Sequence, residues 1–251
     1  MSESSDTKTA RIFRGYLTLL GEPAWVIFAF FFVAAVVFGG LIVAVPGLEP
    51  LVSTTLGQLL SAALIYVLVV IAVVLPVLIV RKRDYVTKLL GMAKKPGWNI
   101  LWLPFVIWLA YMGVTIVAAM GAQFLPWVDG DQAQEVGFDG ISLPVEYILA
   151  FIALVVIPPI AEELLFRGYL FGRLRERFGF WVTAIVTSLT FGFVHLQWNV
   201  GIDTFVLSIF LCYLRETTGS IWASMVLHAI KNGIAYFLLF IAPLMGWQLL
   251  Q

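Results

Sequence analysis

Apolar residues run along this chain in long blocks separated by short polar stretches. Seven blocks stand out, at residues 24–45, 56–80, 100–124, 145–171, 180–196, 202–214 and 220–244. Several exceed the ~18 uncharged apolar residues that mark a membrane-crossing helix. None shows the strict apolar/polar alternation of a barrel strand, and a segment in hydrocarbon must satisfy its own backbone. The pattern therefore predicts an all-α fold, a polytopic membrane bundle of about seven (six to eight) helices. The sixth block is short. Its thirteen residues would cover only about 20 Å at ~1.5 Å per residue, against ~30 Å of hydrocarbon. It reads as a broken or partly inserted helix, a form tolerated where it lines a cavity.

The linkers carry the polar information. Lys8, Arg11 and Arg14 precede the first block. Arg81, Lys82, Arg83, Lys88, Lys94 and Lys95 fill the second linker, and Arg173, Arg175 and Arg177 follow the fourth block. The linker of residues 126–144 is acidic, with Asp129, Asp131, Glu135 and Asp139. Positive charge on alternate linkers fixes orientation: the N-terminus is expected in the cytoplasm and, with an odd number of spans, the C-terminus outside. The polar start, to about residue 10, reads as disordered. The division that follows is a polar cytoplasmic tail over 1–22 and one membrane-embedded domain over 23–251. The first apolar block is too long for a signal-peptide core of roughly 7–15 residues, so an uncleaved anchor is expected.

Composition strengthens this picture. The chain is 61% hydrophobic and 12% charged, about half the charge of an average soluble domain. Fifteen basic and fifteen acidic residues cancel, so charge gives no reason to expect a nucleic-acid partner. The expected partners are a lipid bilayer, most simply the plasma (inner) membrane, and whatever the buried polar residues act on. The single cysteine, Cys212, lies in an apolar block and reads as a packing residue.

Charge inside hydrocarbon is costly and marks function by default. The fourth block holds Glu162, Glu163 and Arg167, just after Pro158 and Pro159. Glu163 and Arg167 are four apart and share a helix face, so they can pair. Glu162 is rotated about 100° from its neighbour and left for other work. The two prolines kink the helix and free backbone carbonyls at that depth. Both histidines of the chain, His195 and His228, lie in apolar blocks. Phe191 precedes His195 by one turn, and Asn232 follows His228 by one turn. Counting along the helices from the cytoplasmic side places Glu162 roughly 16 Å deep, His228 roughly 12 Å and His195 roughly 22 Å. Tilt or a later start of the fifth helix would bring the third into line.

Motifs for other intramembrane proteases do not occur. The chain has no His-Glu-x-x-His, no Gly-x-Ser-Gly and no second buried Asp. What it does have, in order and on three separate helices, is Glu162-Glu163-x-x-x-Arg167, Phe191-x-x-x-His195 and His228-x-x-x-Asn232. These motifs resemble those of the CAAX protease and bacteriocin-processing family, the type II CAAX prenyl endopeptidases and lysostaphin-resistance-like membrane proteases. The resemblance covers about residues 145–240. The Thr218-Gly219-Ser220-Ile221-Trp222 turn is similar to the family's entry into its last motif helix.

The resemblance implies an intramembrane endopeptidase that uses glutamate-activated water on membrane-associated or C-terminal CAAX-type substrates, prenylated in some members. Glu162 would be the general base, His195 would hold the water, and His228 and Asn232 would donate to the oxyanion. Glu163 and Arg167 would support them. Such roles suit the chemistry, because desolvation raises the proton affinity of a carboxylate and dry, preorganised donors stabilise developing charge. No cofactor is implied, although Glu162, His195 and His228 would also suit zinc or another divalent metal. Two other functions stay open on sequence alone. One is a membrane transporter with a proton relay, whose repeat symmetry is not evident. The other is an inert immunity or binding relative, against which the intact motifs argue.

Overall fold

The structure, a computed structural model, describes residues 5–40, 43, 45, 47–124, 126, 138 and 141–247. Among these residues there are helices and no strands. α1 is Ser5–Ala35 and ends in a widened turn, Val36–Gly40. α2 is Thr55–Val80, opened by the Thr54 hydroxyl, which accepts from the Gly57 N–H. A short α3, Arg83–Leu89, leads to α4, Asn99–Ala122. α5 is the long rod Pro144–Arg175. It is followed by α6, Phe180–Phe193, α7, Trp198–Thr218, and α8, Trp222–Tyr236.

Five of these helices are long and apolar enough to cross a membrane. Large apolar side chains such as Leu60, Ile79, Val117 and Leu189 stand exposed on the outer faces. Only 11% of the Trp102–Ala122 window is buried within the bundle, so most of α4 must face acyl chains. The protein is an integral membrane helical bundle.

The bundle differs from the sequence reading at both ends of its polar scale. The first helix reaches back to Ser5, and its candidate span begins at Phe13, well before residue 24. Glu22 lies in the stretch expected to be a polar tail. Its carboxylate is in fact held inside the bundle by the Tyr169 hydroxyl at 2.6 Å and by Arg173 at 3.0 Å. The sixth block is a continuous helix of 21 residues, and the broken form is not seen. The helix runs past both ends of that block, through Asn199, Arg215 and Glu216, and Asp203 within it finds partners on other helices. The short member is instead α6, with 14 residues, about 21 Å long. The acidic linker, with Asp129, Asp131, Glu135 and Asp139, lies outside the described residues.

Two of the bundle's apolar cores flank the site. Val26 of α1, Val69 and Val73 of α2, and Leu165 and Leu170 of α5 form one. Tyr111 of α4, Leu207, Leu211 and Leu214 of α7, and Leu227 of α8 form the other. α5 stands between them, touching α2 on one side and α8 on the other. α6 packs on α7 through glycine: a Cβ added at Gly192 would stand 2.7 Å from the Gly201 carbonyl oxygen. α7 ends at Gly219, whose φ of +69° is a left-handed conformation natural to glycine at a helix C-terminus. The chain reverses there into α8 and carries the last motif back beside α5.

Candidate active site

The site begins at a break in α5. Pro158 and Pro159 have no N–H, so the carbonyl of Leu154, four residues before Pro158, loses its helical partner. The helix widens over Ile152–Val156 and again over Glu163–Leu170, a distortion often found at functional sites. Asn232 of α8 supplies what the prolines remove: its side-chain amide donates to the Leu154 carbonyl at 2.9 Å.

The carboxylates follow one turn later. Glu163 is fully buried, and its Oε1 accepts from Arg167 Nη1 at 2.9 Å, the pairing that the four-residue spacing predicts. The same oxygen lies 3.0 Å from His228 Nδ1. An ionised carboxylate only accepts, so this contact puts a proton on Nδ1. The other ring nitrogen, Nε2, faces Glu162 Oε2 at 3.7 Å. His228 thus bridges the two carboxylates. Glu162 is itself 7% exposed, and its Oε1 accepts from the Tyr66 hydroxyl of α2 at 2.5 Å.

Phe191 is the hub of the apolar lining. The Arg167 guanidinium lies over its ring, 4.4 Å from the centroid, a stabilising cation–π contact. Arg167 Nε and Nη2 find no hydrogen-bond partner among the described residues, so the ring face is the main company of that end of the guanidinium. The edges of Phe191 pack against His195 and His228, with centroids 5.0 and 5.8 Å away. A single side chain therefore spaces the guanidinium and both histidines.

His195 sits two residues past the end of α6, in the turn before α7, and not within a longer fifth helix. Its Nδ1 donates to the Phe191 carbonyl at 2.8 Å. A carbonyl cannot donate, so the neutral ring keeps its proton on Nδ1 and leaves Nε2 as an acceptor. Glu162, His228 and Lys231 are its electrostatic neighbours. Among the described residues no three His, Cys, Asp or Glu side chains converge as a metal site requires. The set Glu162, His195 and His228 is close without being gathered on one point.

An apolar groove of about 410 Å³ opens between α6 and α7, lined in part by Phe193, Leu196, Gln197 and Phe205. It reaches the neighbours of His195 in the chain. Glu162, His228 and Asn232 do not line it.

Two features escaped the sequence reading. Tyr66 lies in a block with no motif. The available signal was a hydroxyl in the middle of an apolar run, which needs a partner once buried. Lys231 and Asp203 were the second, ionisable groups inside apolar blocks that sat beside the motif residues without being counted among them.

Residues 144–234 match the family model described as type II CAAX prenyl endopeptidase Rce1-like. Over that stretch the chain is similar to this family. The Rce1-like stretch holds every residue of the three motifs, together with Asp203 and Lys231, and it excludes Tyr66 and Tyr111. The chain is also 29% identical over 84 residues to YdiL of Bacillus subtilis (strain 168), a protein provisionally named as a membrane peptidase. That match spans about a third of each chain, 34% of this one and 34% of YdiL. No solved structure matches. At the level of family, the likeness is to a CAAX-type membrane protease.

Proposed function

We propose that the protein is an intramembrane endopeptidase in which Glu162 activates water. One observation supports this most directly. Glu162 is a buried carboxylate with one oxygen held by Tyr66, while its other oxygen faces a histidine across 3.7 Å. A carboxylate needed only as helix glue would be consumed by a cation, as Glu163 is by Arg167.

In the reaction, Glu162 takes a proton from a water that the Nε2 lone pair of His195 helps to hold. The hydroxide attacks the scissile carbonyl carbon, and the carbonyl oxygen becomes an oxyanion. His228 donates to that oxyanion from Nε2 when the ring is protonated, and Glu163 steadies the ring from the far side. The second amide N–H of Asn232 is available for the same oxyanion, the first being engaged with Leu154. The tetrahedral species collapses as the C–N bond breaks, and Glu162 returns the proton to the leaving amine. Preorganised donors of this kind contribute several kcal/mol, about 3–4 for a single donor. No step passes through a metal.

The substrate is a membrane-associated or C-terminal CAAX-type peptide, prenylated or not, and the apolar groove beside His195 suits its apolar portion. The membrane-embedded unit takes in the first helix from Phe13 onward, with the protease core at about 145–240. The alternating basic linkers support a cytoplasmic N-terminus in a plasma (inner) membrane.

The test is cleavage by the purified protein in detergent, with a farnesylated CAAX peptide beside an unlipidated peptide library. Wild type and Glu162→Ala are compared, each with and without a strong chelator. The expected result is cleavage that disappears in Glu162→Ala and survives the chelator. Cleavage by Glu162→Ala at the wild-type rate would refute the proposal, and loss on chelation would move the same residues into a metal mechanism.

A further inference from the structure

A second ionic centre lies beside the first. Lys231 Nζ of α8 is 3.3 Å from Asp203 Oδ2 of α7. Tyr111 of α4 donates its hydroxyl to Asp203 Oδ1 at 2.5 Å. Three helices thus contribute one group each. These helices already share the apolar core of Leu207, Leu211, Leu214 and Leu227, and an ion pair taken out of water adds little stability for its cost. Structural need alone explains the centre poorly.

Its placement points to the site. Lys231 follows His228 by three residues and precedes Asn232 by one, so all three lie on one side of α8. His195 counts Lys231 among its electrostatic neighbours, with Glu162 and His228. Access differs as well. The Lys231 side chain is 15% exposed and that of Asp203 26%, whereas Glu163 and Arg167 are at 0%. An ammonium has three N–H groups. One contact to Asp203 leaves two for a ligand, and the carboxylate that Tyr111 steadies fixes the direction in which they point.

Resting on the peptidase reading above, we propose that Lys231 anchors the free C-terminal carboxylate of the substrate, with Asp203 and Tyr111 as its positioning residues. The spacing along α8 is compatible with such an anchor. Three helical residues rise about 4.5 Å, and the lysine stem adds several ångströms. An extended peptide advances at most ~3.3–3.6 Å per residue. A chain end at Lys231 and a scissile bond at Glu162 are therefore a few residues apart. A bond far from any terminus leaves this contact unmade.

The experiment uses the full-length protein in detergent and the peptide it cleaves best in the comparison described above. That peptide is made with a free C-terminal carboxylate and, separately, with a C-terminal amide. The readout is the ratio of kcat/KM for acid over amide. Wild type is expected to favour the acid about 10- to 100-fold, the range of a charge-assisted hydrogen bond. Lys231→Gln brings the ratio close to one, and Lys231→Arg restores much of it; thermal unfolding confirms that each variant is folded. A tie between helices would change thermal stability without touching the ratio. An unchanged ratio in folded Lys231→Gln overturns the anchor and leaves the peptidase reading intact. A wild-type ratio near one does the same, and decides the matter even where Lys231→Gln does not fold. Failure of wild type to cleave either form overturns both.

Discussion

Tyr66 gives the sharpest test of how the base is held. Its hydroxyl donates to Glu162 Oε1 at 2.5 Å, and its ring packs edge-on against Phe30 with centroids 6.2 Å apart. Tyr66→Phe deletes one oxygen and keeps the ring, so the packing against Phe30 survives. What is lost is a hydrogen bond to a charged acceptor, about 1.5–3 kcal/mol in typical cases. Without it the carboxylate can turn about its own side-chain torsion, away from the water that the proposed mechanism has it activate. Where the whole loss falls on the transition state, kcat drops about ten- to a hundredfold. Binding is expected to change little, because Tyr66 touches the base and lies outside the groove lining. The assay is steady-state cleavage of one peptide by wild type and Tyr66→Phe, with thermal unfolding in the same detergent as a control. A folded variant that keeps kcat within twofold would show that Glu162 needs no help from α2. A raised KM at constant kcat would make Tyr66 a binding group.

Other perturbations follow from the same geometry. Glu163→Gln leaves Arg167 as a fully buried cation without its ion partner, an uncompensated charge that costs about 3–5 kcal/mol. A large fall in thermal stability is expected, and an unfolding temperature equal to wild type would show that the Phe191 ring suffices for Arg167. Asn232→Ala orphans the Leu154 carbonyl, at a cost of about 1–3 kcal/mol. It should lower both stability and activity, whereas a residue serving only the oxyanion would lower activity alone.

The fold was legible where physics is local. Long apolar runs without alternation leave few options in a bilayer, and all seven runs are helices. The two helices that run well past their apolar blocks are the one through Glu22 and the one that holds Asp203. Hydropathy assigns such a residue to water, yet its partners, Arg173 and Tyr169 for one and Lys231 and Tyr111 for the other, are remote in sequence. The site was legible for a related reason. Glu163 with Arg167 and Phe191 with His195 are each one turn apart, so spacing alone brings them together. The contacts between helices had no such signal. Nothing in the spacing says that His228 spans both carboxylates, or that Tyr66 reaches Glu162. Asn232 read as an oxyanion donor because its type suits one, and its bond to Leu154 depends on a proline break 74 residues earlier.

That bond has a consequence for biogenesis. α5 leaves the ribosome with its ladder broken at Pro158 and with Arg167 as the only partner that its own helix gives its carboxylates, since Asn232 lies 78 residues downstream of Leu154. His228 arrives on the same late helix. Until α8 docks, the nascent chain has neither the histidine that bridges its carboxylates nor the amide that closes the break beneath them. A single docking event delivers both. On the peptidase reading, a chain completed in this order lacks these groups until α8 has docked.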